Sequence, residues 1–306
     1  MRKVLLGLFV VIIAVFLMIV FRPSSLYQLE ALRTKYSTEQ SNYFTYDKHS
    51  YHYTKKGGEE PIVFIHGFAG SAFTWDTLIN KIDSNYRCLA LDLPGFGLSE
   101  VNEAKLDGDL LAYYLDVFNA FLVENEIDSF NLVGTSMGGY ISMEIANHYG
   151  SRVKTLCLSN PLCYSGRNKA DKASKILGPN FFKSLEKKGI PKWMANLLFS
   201  RSANKPLAKS EITKRHELNS RSATIQVIES ILQNKGIVKD DIASKLINPS
   251  LIIWGQDDKV LNPSLATRLN NDIRNSSLKL YNNVGHMSFY EASDRFKEDL
   301  MELINS

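Results

Sequence analysis

Short, uninterrupted apolar runs recur along this chain, each separated from the next by a helix-periodic stretch. That alternation narrows the fold more than any other feature. The runs are PIVFIHG (61–67), YRCLALDLPGFG (86–97), FNLVG (130–134), VKTLCLS (153–159) and PSLIIWG (249–255), with SSLKLYNNV (276–284) a weaker example. Another strand, in YHYTKKGGEEP (51–61), ends at the Gly57-Gly58 turn signal. A strand without polar alternation is one buried on both faces, as in a parallel sheet covered by helices. Helical patterns fill the gaps at 74–82, 107–126, 138–150 and 294–304; in the second, Leu110, Leu111, Tyr114, Leu115, Phe118, Phe121 and Leu122 recur at three- and four-residue spacing. The expectation is an α/β fold: a mostly parallel sheet flanked by helices.

The alternation breaks between 161 and 248, where helical signals appear without a convincing strand. This stretch reads as a helical cap (161–248) inserted into a core built from 46–160 and 249–306. It is also basic. Residues 161–245 carry 17 lysines and arginines against 7 aspartates and glutamates, whereas the whole chain of 306 residues is only +4. The overall balance is too mild to argue for nucleic acid, and no zinc-finger spacing, RNP-like motif or basic heptad helix accompanies it. The local excess suits a solvated face or one resting on anionic lipid. Phe181, Phe182, Ile190, Trp193, Met194, Leu197, Leu198 and Phe199 form either the cap's own small core or an acyl-chain tunnel.

At the N-terminus, Val4 to Phe21 is a run of 18 residues without a charge. At about 1.5 Å per residue such a helix is ~27 Å long, close to a bilayer's hydrocarbon thickness. A signal peptide usually has a shorter apolar stretch and a small-x-small end. Here the run closes on Ile19-Val20-Phe21 and Arg22-Pro23. Residues 1–22 therefore read as an uncleaved single-pass membrane anchor, and 23–45 as a stalk. Basic residues flank both ends, so orientation is weakly marked. Cys88, Cys157 and Cys163 are odd in number and lack CxxC spacing, which suggests neither a disulfide framework nor a Cys/His metal site.

Chemistry concentrates at Gly134-Thr135-Ser136-Met137-Gly138. A G-x-S-x-G pattern between a strand and a helix places its serine on a strained turn with Oγ projecting, and the glycines at Gly134 and Gly138 leave room for neighbouring backbone. Walker A is excluded because no Gly-Lys-Ser/Thr follows, and GFGLSE (95–100) lacks the third glycine of a dinucleotide fingerprint. A nucleophilic serine needs a base, and the base an orienting carboxylate. In a parallel sheet both belong on loops after strands, in the order serine, acid, histidine. His286 follows the last strand, and Asp257 and Asp258 follow the penultimate one. The remaining histidines fit worse: His148 ends a helix, His216 lies in the cap, and His49 and His52 precede the core. Backbone N–H groups of Phe68 and Met137 could converge on an oxyanion, whereas His66 reads as structural.

HGFAGSAFTW, LDLPGFGLS, LVGTSMGGYI, LIIWGQDDKVL and NVGHMSF, taken in this order, resemble the α/β-hydrolase superfamily over residues ~45 to 306. Within it, the N-terminal anchor together with HGF, GTSMGG and the IIWG, Asp and Val-Leu of IIWGQDDKVL is similar to the membrane-anchored monoacylglycerol lipases and related bacterial lipases. The resemblance implies Ser136 as nucleophile, His286 as base, and the Phe68 and Met137 N–H groups as the oxyanion hole. The family's acid is the fourth residue of G-x-x-D, here Asp258 in Gly255-Gln256-Asp257-Asp258, with Asp257 as the fallback. Serine at the nucleophile position argues against haloalkane dehalogenases and epoxide hydrolases, which use aspartate there. The expected activity is hydrolysis of carboxylic esters, such as monoacylglycerols, through an acyl-enzyme that requires no metal or organic cofactor. The expected partners are a small-molecule or lipid ester and a membrane, not nucleic acid. The rivals are C–C, amide or thioester cleavage on the same triad, or a non-catalytic binding module.

Overall fold

The computed structural model describes residues 26–165, 179–200, 202–233 and 238–306. Eight strands make one sheet: β1 (Ser41–Tyr46), β2 (His49–Gly57), β3 (Glu60–Ile65), β4 (Tyr86–Leu91), β5 (Phe130–Thr135), β6 (Val153–Ser159), β7 (Ser250–Gly255) and β8 (Ser276–Tyr281). Their order is β1-β2-β4-β3-β5-β6-β7-β8. β1 and β2 pair antiparallel, as do β2 and β4, and every pairing from β4 to β8 is parallel.

Burial explains which strands stand out in the sequence. β5 and β7 are buried at every residue, so their runs are uninterrupted. β8 lies at the sheet's edge and is only partly buried, so its pattern is diluted. Along β3 the side chains alternate between two cores: Val63 and Ile65 join Val117, Phe121 and Leu132 on one face, and Ile62 and Phe64 join Trp75 and Phe289 on the other. On the second face the Trp75 ring sits 5.3 Å from Phe64 and 4.5 Å from Phe289. Leu132 is fully buried in the middle of β5. Leu132→Ala is expected to cost about 2–5 kcal/mol, read from the shift in the urea unfolding midpoint.

Helix α1 (Leu29–Tyr36) precedes the sheet, and the short α2 (Asp76–Ile79) follows a 3-10 turn at Ala72–Trp75. Between β4 and β5 runs α3 (Leu110–Glu124), whose Asp109 cap accepts from the Ala112 N–H, and α4 (Met137–Tyr149) follows β5. Between β6 and β7 come α5 (Pro179–Lys188), α6 (Lys192–Ser200), α7 (Lys209–Asn219), α8 (Ser222–Gln233) and α9 (Ile242–Lys245), with no strand among the described residues there. The C-terminal part adds α10 (Ser264–Asp272), α11 (Ser288–Glu291) and α12 (Ser293–Ile304).

The helical insertion is fastened to the sheet domain by buried polar groups. Arg221 donates to the carbonyls of Gly95 (2.9 Å) and Ser99 (3.2 Å), and Thr224 Oγ1 donates to Gly95 (2.7 Å). Burial pushes the Arg221 guanidinium down to about 10, so it remains charged at neutral pH. The apolar residues of the insertion divide. Phe182, Ile190 and Phe199 are buried, whereas Trp193, Leu197 and Leu198 on α6 are exposed.

The segment expected as a stalk (23–45) is built into the domain from residue 26 onward. Tyr27 N–H bonds the Ser220 carbonyl, Arg33 donates to Leu98 and Ser50 carbonyls, and Lys35 and Tyr36 both reach the Glu217 carboxylate. Its last residues form β1, so the sheet starts at Ser41 rather than after residue 45. The expected anchor, Val4 to Phe21, lies outside the described residues. Among the described residues no helix is long and apolar enough to cross a membrane.

Candidate active site

The parallel registers bring strand ends to one edge. Ile65 pairs with Gly134, Thr135 with Ser159, Ser159 with Ile253, and Gly255 with Tyr281. Every residue expected to carry chemistry leaves the sheet at that edge: Phe68 after β3, Ser136 after β5, Asp258 after β7 and His286 after β8.

Ser136 has φ 53° and ψ −122°, a region that a residue with a side chain rarely occupies. The turn is held by its backbone. The Ser136 N–H donates to the Ser159 carbonyl (3.1 Å), and the Ser136 carbonyl accepts from Gly139, Tyr140 and Leu162. The flanking glycines are there for clearance. A Cβ on Gly138 would collide with the carbonyl oxygens of Ile65 and His66, and one on Gly134 would collide with Ser142 Oγ and the Gly138 carbonyl. The loop after β3 approaches equally closely, since a Cβ on Gly67 would lie 3.0 Å from Ser136 Cβ. Phe68, next in that loop, has an exposed ring, and Met137 is the first residue of α4, where N–H groups have no acceptor within the helix.

Asp258 and His286 form a buried pair, with His286 Nδ1 2.8 Å from Asp258 Oδ2. Asn160 Nδ2 donates to the same oxygen at 2.8 Å, while Val260 and Leu261 N–H groups donate to Oδ1 at 2.8 and 2.9 Å. Burial works to raise this carboxyl. The hydrogen bond and charge of His286, with the Leu261 N–H and the Asn160 amide, outweigh it and hold Asp258 below the usual carboxylate range. An ionised Asp258 places the imidazole proton on Nδ1 and leaves the Nε2 lone pair available as a base. Asp257 has a different partner, accepting from Asn204 Nδ2 at 3.2 Å on the surface.

His66 is fixed as a neutral ring. Nδ1 donates to the Gly67 carbonyl (2.8 Å), and Nε2 accepts the Leu93 N–H (3.0 Å). Burial keeps it below the ordinary histidine range, against the opposing pull of Asp92.

Two polar arrangements carry no motif in the sequence, one at this site and one away from it. Asn160 is fully buried with φ 44°, and its only signal is its position directly after β6 at the shared edge. The second is a Ser–His–Asp relay elsewhere: Ser41 Oγ lies 2.9 Å from His52 Nε2, and His52 Nδ1 lies 2.7 Å from Asp92 Oδ2. Ser41, however, begins the extended edge strand β1, and its Oγ accepts the Thr38 N–H at 3.0 Å. Asp92 also caps the Ala72 and Leu98 N–H groups. This relay has no elbow and no helix N-terminus beside its hydroxyl, and it ties β1 to the loop after β4.

Comparison with known proteins agrees with this architecture. The profile of the alpha/beta hydrolase fold matches residues 60–293. Monoacylglycerol lipase ABHD6 of Bos taurus is 28% identical over 291 residues, covering 87% of this chain and 82% of that protein. A 2-hydroxy-6-oxononadienedioate/2-hydroxy-6-oxononatrienedioate hydrolase of Burkholderia vietnamiensis is 25% identical over 279 residues, covering 83% and 90%. Among solved structures, an esterase from Exiguobacterium antarcticum superposes with a TM-score of 0.71 at 20% identity, covering 85% of this chain and 97% of that one. With its strand order, its serine on the turn after β5 and a profile match spanning most of the chain, the protein belongs to the α/β hydrolase fold family.

Proposed function

We propose that this protein is a serine hydrolase that cleaves carboxylic esters, with lipid esters such as monoacylglycerols as its substrates. The observation that carries this reading is the Asp258–His286 pair on the same sheet edge as the strained Ser136 turn. His286 Nε2 takes the proton of Ser136 Oγ as that oxygen attacks the ester carbonyl. Phe68 and Met137 N–H groups stabilise the tetrahedral oxyanion. The imidazolium then returns its proton to the departing alkoxide, leaving an acyl-enzyme and a free alcohol. His286 next deprotonates a water, which attacks the acyl carbonyl, releases the carboxylic acid and regenerates Ser136. Asp258 keeps the ring in its tautomer and stabilises the imidazolium.

The lipid part of the proposal rests on three features. A relative named as a monoacylglycerol lipase matches across most of both chains. The 161–248 insertion, proposed as a cap over the site, exposes Trp193, Leu197 and Leu198 on a basic segment. The apolar run at 4–21, proposed as a single-pass anchor, would hold the domain at a membrane while the cap rests on anionic lipid. A panel of p-nitrophenyl esters and monoacylglycerols of graded chain length tests this. Rising kcat/KM toward long acyl chains is expected, and a sharp preference for short soluble esters would overturn the lipid reading. The second reading, C–C cleavage on the same residues, is favoured by the Burkholderia relative. It predicts turnover of a vinylogous 1,5-diketone acid with little ester hydrolysis.

A further inference from the structure

Glu291 closes α11, five residues after His286, and is only partly buried. Its two carboxylate oxygens together accept from two separate segments. Oε1 accepts the N–H groups of Gly285 (3.1 Å) and Met287 (3.2 Å), the residues on either side of His286. Oε2 accepts the N–H groups of Asn204 (2.7 Å) and Lys205 (3.2 Å), which lie in the helical insertion, and also reaches the Gly285 N–H (3.1 Å). One carboxylate thus binds the histidine loop to the insertion.

The same short stretch of the insertion makes further ties. The His286 N–H donates to the Ser202 carbonyl (3.0 Å), and Ser202 Oγ lies 3.4 Å from Met287 Sδ. Asn204 Nδ2 donates to Asp257 Oδ2 (3.2 Å), and its Oδ1 accepts from Lys259 Nζ (3.3 Å). Asp257 and Lys259 flank Asp258. A Cβ on Gly285 would lie 3.0 Å from Glu291 Oε1 and 3.1 Å from the Asn204 nitrogen, so a glycine permits this close approach.

We infer that Glu291 and Asn204 are positioning residues: they bracket the acid loop and the histidine loop against residues 202–205, so that the insertion sets where His286 stands relative to Ser136. The inference rests on the Ser136–His286–Asp258 reading above. It gives Asp257 a role other than the acid, as the acid loop's attachment to the insertion. Backbone N–H groups need an acceptor, and a carboxylate satisfies both segments at once, whereas a carboxamide has one acceptor oxygen and turns an NH₂ toward the other segment's donors.

The test compares wild type, Glu291→Gln and Asn204→Ala in steady-state hydrolysis of a p-nitrophenyl ester, with active sites titrated by a fluorophosphonate. Glu291→Gln is expected to lower kcat per titrated site by about 10- to 100-fold with KM within about threefold, because misplacing a catalytic group by a fraction of an ångström acts on the transition state. Asn204→Ala, an exposed position, is expected to lower kcat by about 3- to 10-fold with KM likewise held. A kcat per titrated site within twofold of wild type in a folded Glu291→Gln protein would overturn the inference. So would a loss explained wholly by fewer titratable sites. If Glu291→Gln fails to fold, Asn204→Ala decides alone by the same criterion. Absence of labelling and turnover in wild type would instead overturn the serine-hydrolase reading itself.

Discussion

Ser136→Ala is expected to abolish ester turnover, lowering kcat by on the order of 10⁶-fold, while the thermal midpoint moves by only a few degrees. The two halves of this expectation have different causes. Turnover is lost because no other hydroxyl occupies the turn after β5, where the His286 ring and the N–H groups of Phe68 and Met137 are proposed to meet. Stability is kept because the turn is held by backbone bonds from Ser136 to Ser159, Gly139, Tyr140 and Leu162, none of which uses Oγ. Alanine keeps the Cβ that packs against Gly67 and bears the same φ of 53° as serine does. A large loss of both activity and stability would indicate that Oγ is structural.

Asp258→Asn is expected to lower kcat by about 10⁴-fold, and Asp257→Asn by less than about tenfold. The difference follows from hydrogen-bond capacity. Asp258 accepts four donors: His286 and Asn160 on one oxygen, and the Val260 and Leu261 N–H groups on the other. An asparagine can serve only one side. If its oxygen faces the backbone, its NH₂ faces His286 and forces the proton to the wrong ring nitrogen. If the oxygen faces His286, two backbone donors lose their acceptor. Asp257 on the surface accepts, among the described residues, from the neutral Asn204 amide, and a carboxamide can still accept from it.

The pH dependence of the Asp258 substitution has a definite sign. The folded state holds the Asp258 carboxyl below its ordinary value, so its contribution to stability is present at neutral pH. That contribution is lost as pH falls through the depressed folded value. The gap in thermal midpoint between wild type and Asp258→Asn should therefore be widest near neutrality and should close in acid.

The parallel strands were legible in the sequence because burial on both faces removes polar alternation, as β5 and β7 demonstrate. The edge strand β1 escaped for the opposite reason. SNYFTY has one fully buried residue, Phe44, and reads like the polar segment around it. For helix α1 the sequence suggests no more than one turn within a stalk: the helix buries only Leu32 and is held by Arg33, Lys35 and Tyr36 reaching other elements, which spacing along the chain cannot reveal. α10 also went unmarked, since SLATRLNND offers only a short apolar face, with Leu265, Ala266 and Leu269 buried. At the candidate site, Ser136 and His286 could be read from their positions after strands. The choice between Asp257 and Asp258 needed either the family's G-x-x-D spacing or the side-chain direction seen here. Asn160, Glu291 and Asn204 are tied in by contacts between distant segments and leave no local pattern. The Ser41–His52–Asp92 relay gives the complementary lesson. Hydrogen-bonded serine, histidine and aspartate do not make an active site without a projecting hydroxyl and an oxyanion pocket.

That relay also shapes the most direct test of the central claim. The purified protein is treated with a fluorophosphonate, and the adduct is located by intact-mass and peptide mass spectrometry in wild type, Ser136→Ala and His286→Ala. One adduct per chain on Ser136 is expected in wild type, none in Ser136→Ala, and labelling slowed by at least about a hundredfold in His286→Ala. A folded wild type that takes no label, or an adduct on Ser41 that persists undiminished in Ser136→Ala, would contradict Ser136 as the nucleophile.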